Sequence, residues 1–166
     1  STANYNTCVG DSSMSSTTTG GQNTAMGQAS LFSNTTGIRN TAIGYDALLS
    51  SSTSSSNTAL GYSSLSSNTT GTGNTAVGYQ CLDASTTASY NVAVGLGALG
   101  ACTTADHNTA VGTNALGSAT TANDCTAMGR DACIDVTTGA QLNAFGADAL
   151  KTAQASTQCN AFGNLA

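Results

Sequence analysis

The chain repeats one unit of seventeen residues in ten copies, the last incomplete, without an insertion or a deletion. Each unit opens on the pattern Asn-Thr-Ala-X-Gly, where X is a large apolar residue, and we number the places of a unit from this Asn. With single substitutions in two copies, the pattern starts at Asn6, Asn23, Asn40, Asn57, Asn74, Asn91 and Asn108, and weaker copies start at Cys125, Leu142 and Cys159. Strict repetition at a short period indicates a stack of identical structural units. The sequence therefore predicts a rod, and the function must be one that a rod can perform.

The composition favours short strands as the elements of this rod. Charged residues make up 7% of the chain, against a usual share of about 25%, and low charge with regular apolar spacing argues against disorder. The many Ser and Thr residues disfavour helix interiors. One unit suits a coil of two or three very short strands, stacked on the next coil at about 4.8 Å. We therefore expect an all-β parallel β-solenoid (a β-helix or β-roll) of about ten coils. Residues 1–166 form one repeat domain, and because both ends fall in mid-coil we expect a segment of a longer fibre.

Places three and four of the unit suggest how the coils pack. Adjacent side chains of a strand point to opposite faces, so we expect the large apolar residue at place four to fill the bore and place three to face outward. An outward column of small residues predicts contact with a neighbouring copy of the chain; the alternative is that Ala fits a tight corner beside the glycine. The column comprises Ala25, Ala42, Ala59, Ala76, Ala93, Ala110, Ala127, Ala144 and Ala161.

Place five is glycine in every copy, which predicts a turn with positive φ or a close approach of another backbone. The column comprises Gly10, Gly27, Gly44, Gly61, Gly78, Gly95, Gly112, Gly129, Gly146 and Gly163.

Residues 40–48 (Asn-Thr-Ala-Ile-Gly-Tyr-Asp-Ala-Leu) and 74–82 (Asn-Thr-Ala-Val-Gly-Tyr-Gln-Cys-Leu) resemble the "NTAxGYxAL" repeats of viral and bacteriophage fibres. The Ala-X-Gly core is also similar to the head repeats of trimeric autotransporter adhesins. The resemblance covers essentially the whole chain. It implies a left-handed β-roll, a homotrimer, and a place on a virion or a cell surface.

Few side chains carry reactive chemistry. We expect the six cysteines to be buried small apolar residues with free thiols, since no two share a place in adjacent units; a disulfide set is the alternative. His107 is expected in a solvated turn. Asp131 and Asp148 share place seven in adjacent units, so they could bind a cation or share a proton, although a solvated face is favoured. The sequence predicts no catalytic residue, metal ligand or cofactor, and no enzyme.

Tyr45, Tyr62 and Tyr79 occupy place six of three consecutive units. They predict a stacked aromatic ladder that stiffens the rod, or else an exposed platform for sugar rings. Asn34-Thr35-Thr36 and Asn68-Thr69-Thr70 match the glycosylation sequon, which matters only for a secreted chain.

The leading functional hypothesis is a fibre shaft that holds a receptor-binding tip away from a virion or cell. Its partner is the chain itself, as a homotrimer or end to end. The alternative is a surface adhesin that binds glycans or a host receptor, and a minor one is ice binding through the paired threonines at places thirteen and fourteen. The net charge of −5 excludes an electrostatic footprint for nucleic acid, and no apolar stretch is long enough for membrane insertion.

Overall fold

The computed structural model describes residues 3–153 and 157–166, which form a parallel β-solenoid. These residues contain one three-residue strand per coil, at places two to four, rather than the two or three strands expected. The strands form a single sheet in chain order, and every neighbouring pair is parallel. Pairing is in register at a shift of one unit, so that Ala76 pairs with Ala93. The ten strands of the described ranges are β1 (Thr7–Val9), β2 (Thr24–Met26), β3 (Thr41–Ile43), β4 (Thr58–Leu60), β5 (Thr75–Val77), β6 (Val92–Val94), β7 (Thr109–Val111), β8 (Thr126–Met128), β9 (Asn143–Phe145) and β10 (Asn160–Phe162).

In each coil, residues with a positive φ turn the backbone where the sequence predicted a second or third strand. In the coil that starts at Asn74, the glycine of place five has φ 145°, and places seven, nine and seventeen follow with Gln80 at 50°, Leu82 at 53° and Tyr90 at 59°. The same places have positive φ in every described coil where they occur. Each such residue other than glycine costs roughly 1–2 kcal/mol, which packing in the coil must offset. These sharp reversals close a coil of seventeen residues around a narrow bore.

The bore is filled by six columns, at places one, three, eight, nine, twelve and fifteen. Place nine supplies the largest apolar side chains, and place one supplies asparagines that are 0–1% exposed from Asn23 to Asn108. The remaining columns are mostly Ala, Gly, Ser and Cys. The fully buried leucines of place nine are Leu31, Leu48, Leu65, Leu82, Leu99 and Leu116.

The expected orientation of places three and four is wrong. The alanines of place three line the bore: Ala25, Ala42, Ala59, Ala76, Ala93, Ala110, Ala127 and Ala144 are 0% exposed, and Ala161 is 8% exposed. The large residues of place four point outward instead, with Met26 46% and Leu60 44% exposed. Leu and Asn of places nine and one already fill the bore, so only a methyl-sized side chain fits against them from the strand. The alanines are therefore interior packing groups and cannot form the interchain surface that the sequence suggested.

The asparagine column bonds each coil to itself and to the next. Asn74 Nδ2 donates to the carbonyl oxygen of Ala88 in its own coil at 2.8 Å, and Asn74 Oδ1 accepts from the backbone N of Asn91 at 3.0 Å. The same pair of bonds recurs along the column. The buried amide thus satisfies backbone groups that would otherwise be stranded in the bore.

The glycine column has the positive φ that its sequence position predicts, and it also lies against backbone. A side chain on Gly78 would overlap the carbonyl oxygen of Gly95, one coil further on. Place five therefore admits only glycine, for both of the expected reasons.

Candidate functional site: the outer face of the sheet

Three columns of side chains cover the outer face of the sheet, and we call them the strand face: places two, four and six of every unit. Place two is Thr in seven of the ten copies. Place four is a large apolar residue throughout, and place six is exposed in nearly every coil. The strand directs places two and four outward together because they are two residues apart. The most exposed members of place four are Val9 (56%), Met26 (46%), Leu60 (44%), Met128 (42%) and Phe162 (71%).

The strand face is almost free of charge. Three places in ten units make thirty residues, and of these only Asp11 and Arg130 are charged. This share equals the 7% of the whole chain, so the column of large apolar groups, rather than a lack of charge, distinguishes this face and is typical of the centre of a protein interface. Sequence reasoning missed this face because it placed the residues of place four in the bore.

The tyrosines of place six form the stacked ladder that the sequence predicts. The ring centroids of Tyr45 and Tyr62 are 5.2 Å apart and those of Tyr62 and Tyr79 are 5.1 Å apart, with interplanar angles of 6° and 10°. Each of the three tyrosines is 43–49% exposed. Stacking covers the ring faces inside the ladder, so the ladder presents the edges of its rings to solvent. An open ring face, on which a sugar could stack, remains only at the two ends of the ladder.

Two further aromatic contacts extend the stacking to other columns. At place seventeen, Tyr90 stacks on His107 with centroids 5.3 Å apart, and His107 is exposed as expected. At place four, Phe145 stacks on Phe162 at 5.1 Å. The sequence carries the signal for both pairs, since aromatic rings at one place in consecutive units must lie one coil apart.

The paired threonines divide into an inner and an outer column. Thr69 Oγ1 at place thirteen donates to the carbonyl oxygen of Thr86, one coil on, at 2.9 Å, and the neighbouring coils repeat this bond. The hydroxyls of place thirteen are thus engaged in stacking the coils. The threonines of place fourteen are exposed: Thr19, Thr36, Thr53, Thr70, Thr87, Thr104, Thr121 and Thr138.

The two aspartates singled out by the sequence lie beside basic side chains. Arg130 contacts both carboxylates and lies 2.6 Å from Asp148 Oδ2, while Lys151 Nζ lies 2.9 Å from Asp148 Oδ1. The hydrogen bond from Lys151, with the charge of Arg130, holds the pKa of Asp148 below its usual value. The same bond raises the pKa of Lys151. In residues 3–153 and 157–166, no cluster of three or more His, Cys or Asp side chains is close enough to hold a metal ion.

The six thiols are free in the structure, and four of them are buried: Cys81, Cys102, Cys125 and Cys133. Burial raises the pKa of Cys81 to about 12, that of Cys102 to about 11 and that of Cys133 to about 12. The expectation that the cysteines are buried is confirmed for these four, whereas Cys8 is exposed and Cys159 half-buried.

The sequon asparagines also face the bore. Asn34 and Asn68 are 0% exposed, and their Nδ2 atoms donate to the carbonyl oxygens of Gly37 and Gly71 at 3.3 and 3.1 Å. Neither amide is accessible for glycan attachment in the folded chain.

Comparison of the chain with protein-family models, curated proteins and solved structures found no match. Over the described ranges, the fold has no helix long and apolar enough to cross a membrane.

Proposed function

We propose that this chain is the structural, non-enzymatic shaft of a fibre on a virion or a cell surface. The observation that carries the proposal is the unbroken in-register sheet, in which each strand from β1 to β10 pairs with the next at the same shift. A sheet of this kind transmits force along the rod because every coil is bonded to its neighbours.

The hydrogen bonds between successive coils support the proposal of a stiff rod. Between the coils that start at Asn57 and Asn74, the backbone N of Gly78 donates to Leu60 O at 2.8 Å and the backbone N of Leu65 donates to Cys81 O at 3.0 Å. Side chains add two more hydrogen bonds between these coils. The backbone N of Asn74 donates to Asn57 Oδ1 at 2.9 Å, and Thr69 Oγ1 donates to Thr86 O at 2.9 Å. These bonds lie on different sides of the coil and run along the axis, so bending or shear strains several of them at once.

Rod dimensions and protease resistance test this proposal. Ten coils at about 4.8 Å give a rod roughly 45 Å long. A globule of this chain length would be about 40 Å across, so small-angle scattering must measure the narrow cross-section of the rod as well as its length. We expect that length and slow cleavage by a nonspecific protease, because few backbone groups can open locally. A compact globule, or rapid cleavage throughout the chain, would refute the shaft.

A lateral glycan site is the second proposal, and the exposed tyrosine ladder is the observation that favours it. In this alternative the rod is itself an adhesin, and Tyr45 or Tyr79 stacks a sugar ring on its outer face. Glycan-array binding should then be lost when Tyr45, Tyr62 and Tyr79 are all replaced by Ala, and kept in Tyr90→Ala, which removes a 59% exposed tyrosine on another column. Equal binding by both variants would refute the site.

A further inference from the structure

We propose that the strand face binds a second copy of this chain, so that the shaft is held together through the apolar column of place four. The proposal rests on the shaft function above and names its partner and its contact surface. It replaces the alanine column, which lies in the bore.

The arrangement of the apolar groups is the first step. Single exposed apolar residues are normal on a protein surface, but a contiguous apolar strip marks an interaction site. Place four supplies one large apolar group in each coil from Val9 to Phe162. In-register pairing, such as Val77 with Val94, aligns these groups in one continuous line.

The size of the strip is the second step. Ten strands at about 4.8 Å, with places two and four about 6.7 Å apart, make a surface roughly 43 Å by 14 Å, or on the order of 600 Å² per chain. Two such surfaces would bury about 1,200 Å² in total, which reaches the lower end of stable interfaces. The tyrosine ladder at place six would form the rim, where amphipathic groups are common.

The period of the strip identifies the partner. Its side chains recur once per coil along the whole sheet, so a surface that interdigitates with it must repeat at the same spacing. A second copy of the chain has that spacing by construction, and its strand face is equally free of charge. A partner that binds through charged groups would instead have to desolvate them against this face without compensation.

Sedimentation measurements of mass over a wide range of protein concentration test the inference. We expect the wild type to associate into two or three chains and Val77→Lys with Val94→Lys to be monomeric. The dissociation constant of this double variant should rise roughly a hundredfold or more, because an uncompensated charge at an interface costs several kcal/mol. The matched control is Thr87→Lys with Thr104→Lys, which places the same charges on the exposed column of place fourteen and should associate as the wild type does.

Circular dichroism of each variant shows whether the coils remain folded. A wild type that is monomeric at every concentration, or a folded face variant that associates like the control, overturns the inference. If the monomeric wild type also reshapes growing ice crystals, the regular Thr and apolar columns bind ice rather than another chain. Failure of the shaft proposal is distinguishable, because a monomer that is still a long rod refutes only the self-association.

Discussion

Replacing one asparagine of the interior column should reveal how much of the stability depends on it. Asn74 is 1% exposed; its Nδ2 donates to Ala88 O at 2.8 Å, and its Oδ1 accepts from the backbone N of Asn91 at 3.0 Å. In Asn74→Ala the backbone N of residue 74 still donates to Asn57 Oδ1. Three side-chain bonds are lost, the third being the 3.3 Å bond that Asn74 Oδ1 accepts from Asn91 Nδ2, which keeps its bond to Ala105 O. The variant thus leaves one buried N–H and one carbonyl without their partners.

The expected loss of stability follows from those two groups. Leaving a buried polar group unsatisfied costs about 1–3 kcal/mol, so two of them cost about 4 kcal/mol in the middle of the range, before any cavity is counted. Domains are typically stable by 5–15 kcal/mol, and a loss of this size would remove a large part of that. For a chain of this length it corresponds to a fall in Tm of roughly 10 °C.

Urea unfolding followed by far-ultraviolet circular dichroism measures the change in the free energy of unfolding. The control is Asn164→Ala, which makes the same deletion at an exposed place and should change the free energy by less than about 0.5 kcal/mol. Amide exchange at Asn91 should accelerate in the first variant only. A loss below about 1 kcal/mol for Asn74→Ala would show that water or a shifted backbone satisfies the orphaned groups, and would refute the argument.

Three further results should follow. Gly78→Ala should lower the free energy of unfolding by about 3 kcal/mol or more, because the new Cβ overlaps the next coil and φ is 145°. The control is Gly100→Ala, at a place where other coils have larger side chains, which should cost little in the same urea experiment. Equal losses would refute the account. Iodoacetamide should label Cys8 in the folded chain but Cys81 only after unfolding, since burial raises the pKa of the Cys81 thiol to about 12; rapid labelling of Cys81 would show that the coils open. The lowered pKa of Asp148 contributes stability that is present above the unfolded pKa and is lost as pH falls through the folded pKa. Asp148→Asn should therefore make the free energy of unfolding fall less steeply towards acid pH. An unchanged acid dependence would contradict this.

The fold could be predicted from the sequence because every coil has nearly the same sequence. A repeat of fixed length favours one register of strand pairing, in which each residue pairs with the residue at the same place of the next unit. The pairing of Ala76 with Ala93 has this register. Stacked tyrosines at place six and glycine with positive φ at place five follow from the same periodicity. Both depend on neighbours one unit apart, which a repeated sequence identifies directly.

The direction of the strand side chains could not be predicted in the same way. Alternation along a strand requires places three and four to face opposite ways, but it does not determine which of them faces the bore. The larger apolar residues of place four were expected there because of their size. The width of the bore decides the matter, and it depends on reversals at places seven, nine and seventeen. There Gln80, Leu82 and Tyr90 have left-handed φ although none is glycine, so their residue types gave no signal of a turn.

The sequence by itself thus determined the period, the register and the columns, since these are properties of repetition. Only the tertiary structure decided which columns are inside, because that choice depends on how tightly the closed coil curves. Leu82 and Asn74 occupy the narrow bore, Ala76 fills the gap that remains, and Val77 is half-buried on the outer side of the strand.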